Sequence, residues 1–375
     1  MKRALAIALV LACASSASAQ LTPEEVVLLE ELAPVPAEPP PPLDLTTIPM
    51  ALGLPVQVGV GVAVIDVGGV SENDEAFDAT IDLRLVWSDP RLAYVGTGSA
   101  HRFAGETADA QLAQIWHPSV RIANVDGDPS YAVRGLRIEP SGAVELLERT
   151  TARFHTSFDV SRFPFDRQDL AIEIVCDGAS RSMVSLVVRQ ADLDFSRLAG
   201  DVHVDGWSPI GVVLHRERVP GWHGDVHDAV RASIGVARDA AHTAAPIFIP
   251  LFASLLIPLL AMWLNRWEDG DFKIEAFELA NVIVGGLFAI IALNFTVSSE
   301  LSALGVGDNT VSRLFALNYL TLATSLLVNL GLFRYRIVGR AFGPFVEEQA
   351  FRFLTWALPL IAVSTALACV AAAYA

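Results

Sequence analysis

Cysteine is almost absent from this chain of 375 residues, which has only 3. Cys13 lies in a stretch read below as a cleaved leader, and Cys176 and Cys369 stand far apart in regions of different character. A disulfide framework is therefore excluded. Basic residues are scarce as well, 26 Lys and Arg against 42 Asp and Glu, for a formal net charge of -16. Such a deficit is unsuited to a phosphate backbone, so no nucleic-acid partner is expected. The short motifs of enzymes are missing too: there is no Gly-rich phosphate loop, no Gly-x-Ser-x-Gly, no His-Glu-x-x-His and no Cys pair for zinc. No enzyme activity and no cofactor are expected. Charge of either sign is thin, at 18% of residues against 53% apolar, a balance that suits a membrane protein better than a soluble one.

What is present is arranged in order along the chain. Lys2-Arg3, the apolar run Ala4 to Ala14 and Ala17-Ser18-Ala19 follow the plan of a cleavable secretory signal over 1–19. The run is too short to cross about 30 Å of hydrocarbon. Prolines then crowd, with Pro39 to Pro42 consecutive, and 20–44 reads as an extended linker. From 45 to 243 short alternating runs such as Thr80-Ile81-Asp82-Leu83-Arg84-Leu85 and Leu170-Ala171-Ile172-Glu173-Ile174 are separated by Gly, Pro, Asp and Ser turns. Period two with frequent turns predicts an antiparallel β-sandwich.

Four uncharged stretches follow, at about 244–264, 279–297, 314–333 and 353–375, each near the roughly 20 residues that span a bilayer as a helix. They predict an all-α four-helix membrane domain over 244–375. With a translocated N-terminus, Arg334, Arg336, Arg340 and Arg352 fall inside, as the positive-inside rule asks. The expected location is a bacterial inner membrane, multi-pass, with the first domain on the periplasmic side and lipid around the helices. The connection 265–278 is acidic, with Glu268, Asp269, Asp271, Glu275 and Glu278 against Arg266 and Lys273. Two readings stand for it, an electrostatic funnel for cations or a plain solvated loop.

Three motifs in this order, ahead of four spans, resemble the pentameric ligand-gated ion channel (Cys-loop receptor) family, especially its prokaryotic branch. They are Trp87-Ser88-Asp89-Pro90-Arg91-Leu92, Trp116-His117-Pro118 followed by Asn124, and Phe158-Asp159-Val160-Ser161-Arg162-Phe163-Pro164-Phe165-Asp166-Arg167-Gln168. The last is the specific one, because two aromatic rings at the tip of a polar turn need an apolar receiver. The resemblance implies that this loop docks on the membrane helices. The two cysteines that name the family are replaced by Thr156 and Leu170.

The second span carries an argument of its own. Steps of three and four from Glu278 give Asn281, Gly285, Phe288, Ala292, Phe295 or Thr296, and Ser299 on one helical face. The opposite face, with Val282, Ile283, Leu287, Ile290, Ile291 and Leu293, is apolar. Polar groups facing lipid are expensive, so the first face is read as lining water; a packed polar helix interface is the alternative. Around an axis, Phe288 would form an apolar constriction that gates by dewetting, and Glu278 would gather cations.

By resemblance, Glu72, Asp166 and Arg238 would form an ionic coupling cluster beside Phe163, Pro164 and Phe165. Glu75 falls where a proton-gated cyanobacterial relative has a carboxylate implicated in sensing pH, whereas that relative's membrane histidine is replaced by Ile290. The agonist site would lie between subunits under the hairpin around Val219 to His227, with Trp87, Arg91, Asn124, Trp222 and His223 as ligand-binding residues. Asp177-Gly178-Ala179-Ser180-Arg181 carries no aromatic ring, so a cation–π amine site is not expected. His223, Asp225 and His227 could bind a divalent metal or titrate, or be solvated; no metal site is assigned. The function implied is a homopentameric channel for cations, opened by an unidentified small molecule or by protons. An anion channel and a non-conducting scaffold are the alternatives.

Overall fold

The computed structural model describes residues 44–96, 98–269, 271–273, 276–300 and 308–374. The expected leader (1–19), nearly all of the linker (20–44) and Glu275 lie outside the described residues.

Strand β1 (Val56–Ser71) explains the sandwich from its side chains. Val56, Val58, Val60, Val62 and Val64 alternate onto one face and are buried, as a period of two requires. Gly59 and Gly61 alternate onto the other face, where helix α2 (Gln190–Phe195) crosses the strand. A Cβ at Gly59 would sit 2.8 Å from Asp192 Oδ2, and one at Gly61 would sit 3.0 Å from the Phe195 ring. The Val-Gly alternation thus puts bulk into the core and leaves a flat seat for a helix.

β1 pairs antiparallel with β2 (Ala76–Ser88), setting Val60 opposite Leu85 and Val62 opposite Leu83. With β3 (His101–Ala104), β5 (Tyr131–Ile138), β6 (Ala143–His155) and β8 (Val184–Val187) they form a six-stranded sheet in the order β3-β5-β6-β2-β1-β8. The second sheet has the order β4-β7-β10-β9, from β4 (Val120–Ile122), β7 (Arg167–Cys176), β9 (Trp207–Pro220) and β10 (Val226–Arg238). Leu170, Ile172 and Ile174 of β7 face Ile234, Ala232 and Val230 of β10. One apolar core joins the two sheets. The sandwich expected from the alternation is present, with one departure, since β8 runs parallel to β1. A short helix α1 (Glu106–Leu112) lies between β3 and β4.

β10 ends at Arg238 and helix α3 (Ala240–Leu264) begins two residues later. The boundary expected at 243 therefore falls inside the helix. α3 is followed by a two-stranded hairpin of β11 (Trp267–Glu268) and β12 (Asp271–Phe272). Then come α4 (Ala276–Glu300), α5 (Thr310–Val328) with a π-turn over Asn329–Arg334, the short α6 (Ile337–Phe342) and α7 (Pro344–Tyr374). α3, α4, α5 with its π-turn, and α7 are the four helices long and apolar enough to cross a membrane. The fourth starts nine residues before the expected 353, because Glu347, Glu348 and Arg352 are helical. α4 and α7 each pack on α3 and α5. A buried polar link joins that central pair: Ser254 Oγ lies 3.1 Å from Asn318 Oδ1, and Asn318 Nδ2 donates to Leu314 O at 3.0 Å. Such links keep polar groups satisfied away from water.

Candidate functional site

The loop between β6 and β7 is built on Gln168. Its side chain donates to Asp159 O at 2.7 Å and accepts from Asp159 N at 3.0 Å, closing the loop at its base. Where the family's disulfide would stand, the Thr156 hydroxyl donates to Asp169 O at 3.2 Å and accepts from Ala171 N at 3.3 Å, on either side of buried Leu170. Hydrogen bonds thus tie the same two strands. At the tip, Phe163 is fully buried in the core of the helical bundle with Ile247, Phe248 and Leu251. Phe165 meets Tyr374 of α7 edge-on at 5.3 Å. The apolar receiver that the two rings require is the helical domain. Pro164 between them follows a cis peptide bond.

Directly beside this plug the expected ionic residues are together. Arg238 Nε and Nη2 donate to the two oxygens of Asp166 at 2.7 and 2.9 Å, and Nη1 donates to Glu72 at 2.7 Å. The fork geometry is the strongest form of this pair. The guanidinium stacks over Trp207 at 4.2 Å and Phe163 at 4.9 Å. Burial opposes its charge, but hydrogen bonds to Asp166 and then Glu72 outweigh burial and hold Arg238 above its ordinary pKa. Gln168 also donates to Asp166 Oδ2 at 2.7 Å. Trp207 and Tyr374 were not singled out from sequence, and Gln168 stood there only as the last residue of the loop motif. Trp207 is 31 residues from Arg238 and meets it only through the β9–β10 register, which pairs the two directly.

On α4, Glu278, Asn281, Gly285, Phe288, Ala292, Phe295 and Ser299 are all exposed. Phe288 is 68% and Phe295 75% exposed, far from the state of packed rings. Leu279, Ile283, Ile290 and Val297 form the buried stripe instead. The apolar face expected opposite the polar one is therefore divided, for Val282, Leu287 and Ile291 remain uncovered. The 265–278 connection differs from a simple acidic funnel. Glu268 is bridged by Lys273 at 2.6 Å and Asp271 by Arg336 at 3.0 Å, so two of its acids are neutralised. Glu278 makes no ion pair among the described residues.

The expected ligand residues scatter. Trp87 is 1% exposed and packs edge-on against Trp116, its ring within the sandwich core. Arg91 is forked onto the buried Asp89, with Nε at 2.9 Å and Nη2 at 2.7 Å, and also donates to Thr47 O at 2.7 Å. Asn124 donates to His155 O and Ala171 O and accepts from Glu173 N. Both are held by the framework, because every strong donor and acceptor they carry there has a use inside the chain. His223 is exposed at the hairpin tip with φ 56°, next to Trp222 in a short 3₁₀ turn. His227 is engaged with β7, its Nδ1 2.8 Å from Cys176 O. Among the described residues no cluster fit for a metal ion occurs. A cavity of about 430 Å³ is lined by Glu75, Asn124, His155, Glu173 and Arg231.

Residues 44–225 match the neurotransmitter-gated ion-channel ligand binding domain. Over 144 residues the chain is 31% identical to a proton-gated ion channel of Gloeobacter violaceus, covering 38% of each chain. It is 28% identical over 148 residues to the gamma-aminobutyric acid receptor subunit pi of Rattus norvegicus, 38% of this chain and 30% of that one. A third similarity is to the human gamma-aminobutyric acid receptor subunit rho-1, 32% over 116 residues, 30% of this chain and 23% of the relative. The matched segments thus span about a quarter to two-fifths of the relatives' own lengths.

Proposed function

We propose, for a member of the pentameric ligand-gated ion channel family, which is a family of channels and not of enzymes, that five copies assemble around α4 into a cation-selective channel. The observation that carries this reading is the uncovered stripe from Glu278 to Ser299 on a helix whose span is only 22% buried. A helix serving as an anchor has no use for a carboxylate, an amide and a hydroxyl on one such stripe. Facing an axis, the same groups become rings. Glu278 concentrates cations at one mouth, Asn281 replaces part of an ion's water shell, and Phe288 closes the path by dewetting. The setting is a bacterial inner membrane, with the β-domain in the periplasm and lipid against α7.

The trigger acts on the β-domain, at the β9–β10 hairpin with Trp222 and His223 between subunits. Its effect passes to the pore through Phe163, Pro164 and Phe165, and through the Glu72, Asp166 and Arg238 cluster. Arg238 suits this role because it stands two residues before α3, so any shift of β10 is a shift of the first span. A proton is a second reading of the trigger, favoured by the cavity that Glu75 shares with His155 and Glu173. Recording from the full chain in planar bilayers tests the channel and its selectivity together. Glu278→Ala is expected to move the reversal potential in a salt gradient towards zero and to lower unitary conductance. An unchanged reversal potential in that variant would reject the pore face assigned to α4.

A further inference from the structure

The seam between α3 and α5 repeats a polar pair. Ser254 Oγ lies 3.1 Å from Asn318 Oδ1, and a Cβ on Gly286 of α4 would meet Ile257 at 3.3 Å and Leu322 at 3.4 Å. Three residues on from Ser254 and four on from Asn318 thus share a level, so the two helices run in the same direction. About three turns further along, Ser254 is followed on its helix by Asn265 and Asn318 on its helix by Asn329, each eleven residues on. That step returns a side chain to within about 20° of its starting face, which sets Asn265 opposite Asn329. Both are buried, at 3% and 2% exposed. The level between, seven residues on from the first pair, holds Ala261 and Ser325, two small buried side chains that leave room where larger ones would fill the seam.

The first pair is satisfied within the chain and the second level is not. Asn318 Nδ2 donates to Leu314 O at 3.0 Å, whereas Asn329 Oδ1, Asn329 Nδ2 and Ser325 Oγ have no hydrogen-bond partner among the described residues. Thr321 and Thr324 each donate to the carbonyl four residues back at 2.8 Å, the usual recourse of a hydroxyl inside a helix; Ser325, next along, does not. At the same level α5 widens into its π-turn and α3 ends, and the last carbonyls of a helix lack intrahelical donors. A buried amide left dry costs ~1–3 kcal/mol, and water meets that need where a site is polar and has room. We infer that this end of the seam is a buried hydration site, which binds water between the Asn329 amide and Ser325 Oγ, with Asn265 across from them. The lining is neutral and gives no hold to an ion, since the nearest cations along the two helices, Arg266 and Arg334, are exposed. The ligand is therefore a small neutral molecule that donates and accepts at once. The inference does not rest on the channel reading, because it concerns the inside of one bundle.

The test uses purified full-length protein in detergent. A density map that resolves ordered solvent is expected to show a peak within hydrogen-bond reach, about 2.7–3.2 Å, of both the Asn329 amide and Ser325 Oγ. A seam closed without such a peak, or an Asn329 amide bonded only to protein groups, overturns the site without any variant having to fold. Thermal midpoints give a second reading through their sign. If the site were dry, the unpaired amide would be a cost that Asn329→Leu removes, and the midpoint would rise. With water bound, the same change takes a partner from the water and so from Ser325, and the midpoint is expected to fall by ~2 °C or more. Ser325→Ala should lower it less. The double variant should cost less than the two singles together, since one shared water is lost only once. Asn318→Leu, which breaks the pair closed within the chain, sets the scale for a lost polar contact in this seam. A raised midpoint for Asn329→Leu, or strict additivity of the Asn329 and Ser325 changes, overturns the site.

Discussion

Arg238 is charged, 3% exposed at its side chain and shared between two carboxylates, so removing Asp166 strips it of its fork and leaves it with Glu72 alone, whereas removing Arg238 leaves two buried carboxylates without a counter-ion. That penalty is typically ~3–5 kcal/mol, whereas removing both members of a pair costs far less than twice as much. Asp166→Asn and Arg238→Ala should each impair folding or activation severely, and the double variant should cost less than their sum. A cycle on thermal midpoint and dose-response is expected to give a coupling above ~0.5 kcal/mol; strict additivity would contradict the pair. Cys176 offers a second residue-scale outcome. Burial first, and then the neighbouring Asp177 and Asp228 charges, push its thiol up to about 11 against a backbone hydrogen bond from Ala179 that lowers it. The folded protein therefore holds it as a thiol until pH approaches that value, while the unfolded chain ionises near 8.5, so alkaline pH destabilises the fold through this group. Maleimide at pH 8 should leave Cys176 unmodified in the native protein and modify it in denaturant, as peptide mass mapping would read. At this scale the sequence was legible where a motif carries its own demand. Phe163 and Phe165 needed an apolar receiver and have one. For Trp87, Arg91 and Asn124 the motif was less legible, because a buried ring, a fork onto Asp89 and an amide stapling β6 to β7 leave the same trace in a linear motif as a ligand site would.

Helix boundaries were legible to within a few residues for the first three spans, because charge-free length is a property of the sequence alone. The fourth was not, since the charges of Glu347, Glu348 and Arg352 have partners only folding supplies. Glu347 is fully buried and accepts from Arg336 Nη2 at 2.9 Å and Nε at 3.2 Å. Arg336 also donates to Asp271 at 3.0 Å and lies 5.4 Å over the Trp267 ring. Phe272 packs edge-on against both Phe333 and Phe351, at 4.6 and 5.3 Å. The hairpin that leads into α4 is therefore bolted to the base of α7. Gly339 is the tight spot in this bolt, because any Cβ there runs into the Glu347 carboxylate, whereas Gly331 faces open space. Gly339→Ala should lower the thermal midpoint in detergent and Gly331→Ala should leave it nearly unchanged; equal responses would mean the bolt bears no strain. On α4, the proposed pore helix, Phe288→Ser should wet the proposed constriction and raise holding current without agonist. A silent variant present at the membrane in normal amount would place the gate elsewhere on α4.

For the whole molecule the decisive quantity is apolar and polar surface that a single chain cannot cover. α4 carries three kinds of face at once: a polar and aromatic stripe fit for water, a buried stripe against α3 and α5, and open apolar residues on the two flanks between them, Val282 on one and Leu287 and Ile291 on the other. Lipid would satisfy the flank but not Glu278, and water would satisfy Glu278 but not the flank. The proposed closed ring of copies would give each face its solvent, with the stripe on an aqueous axis and the flanks against neighbouring copies. α7, with 11% of its span buried, stays outside that ring, and its 31 residues reach about 46 Å, longer than the ~30 Å hydrocarbon core. The excess is accounted for at both ends, by the hairpin bolt near Glu347 and by Tyr374 against Phe165. Cyclic closure with one interface repeated is the rule for such heterologous contacts. On the proposed pentameric reading, the chain expressed alone should run as five copies by native mass measurement in mild detergent. Val282→Arg, which puts a charge on the flank and not on the stripe, should shift that population to smaller species while leaving the β-domain's circular dichroism intact. A pentamer that tolerates the arginine, or a folded monomer without it, would show that the flank faces something other than a second copy.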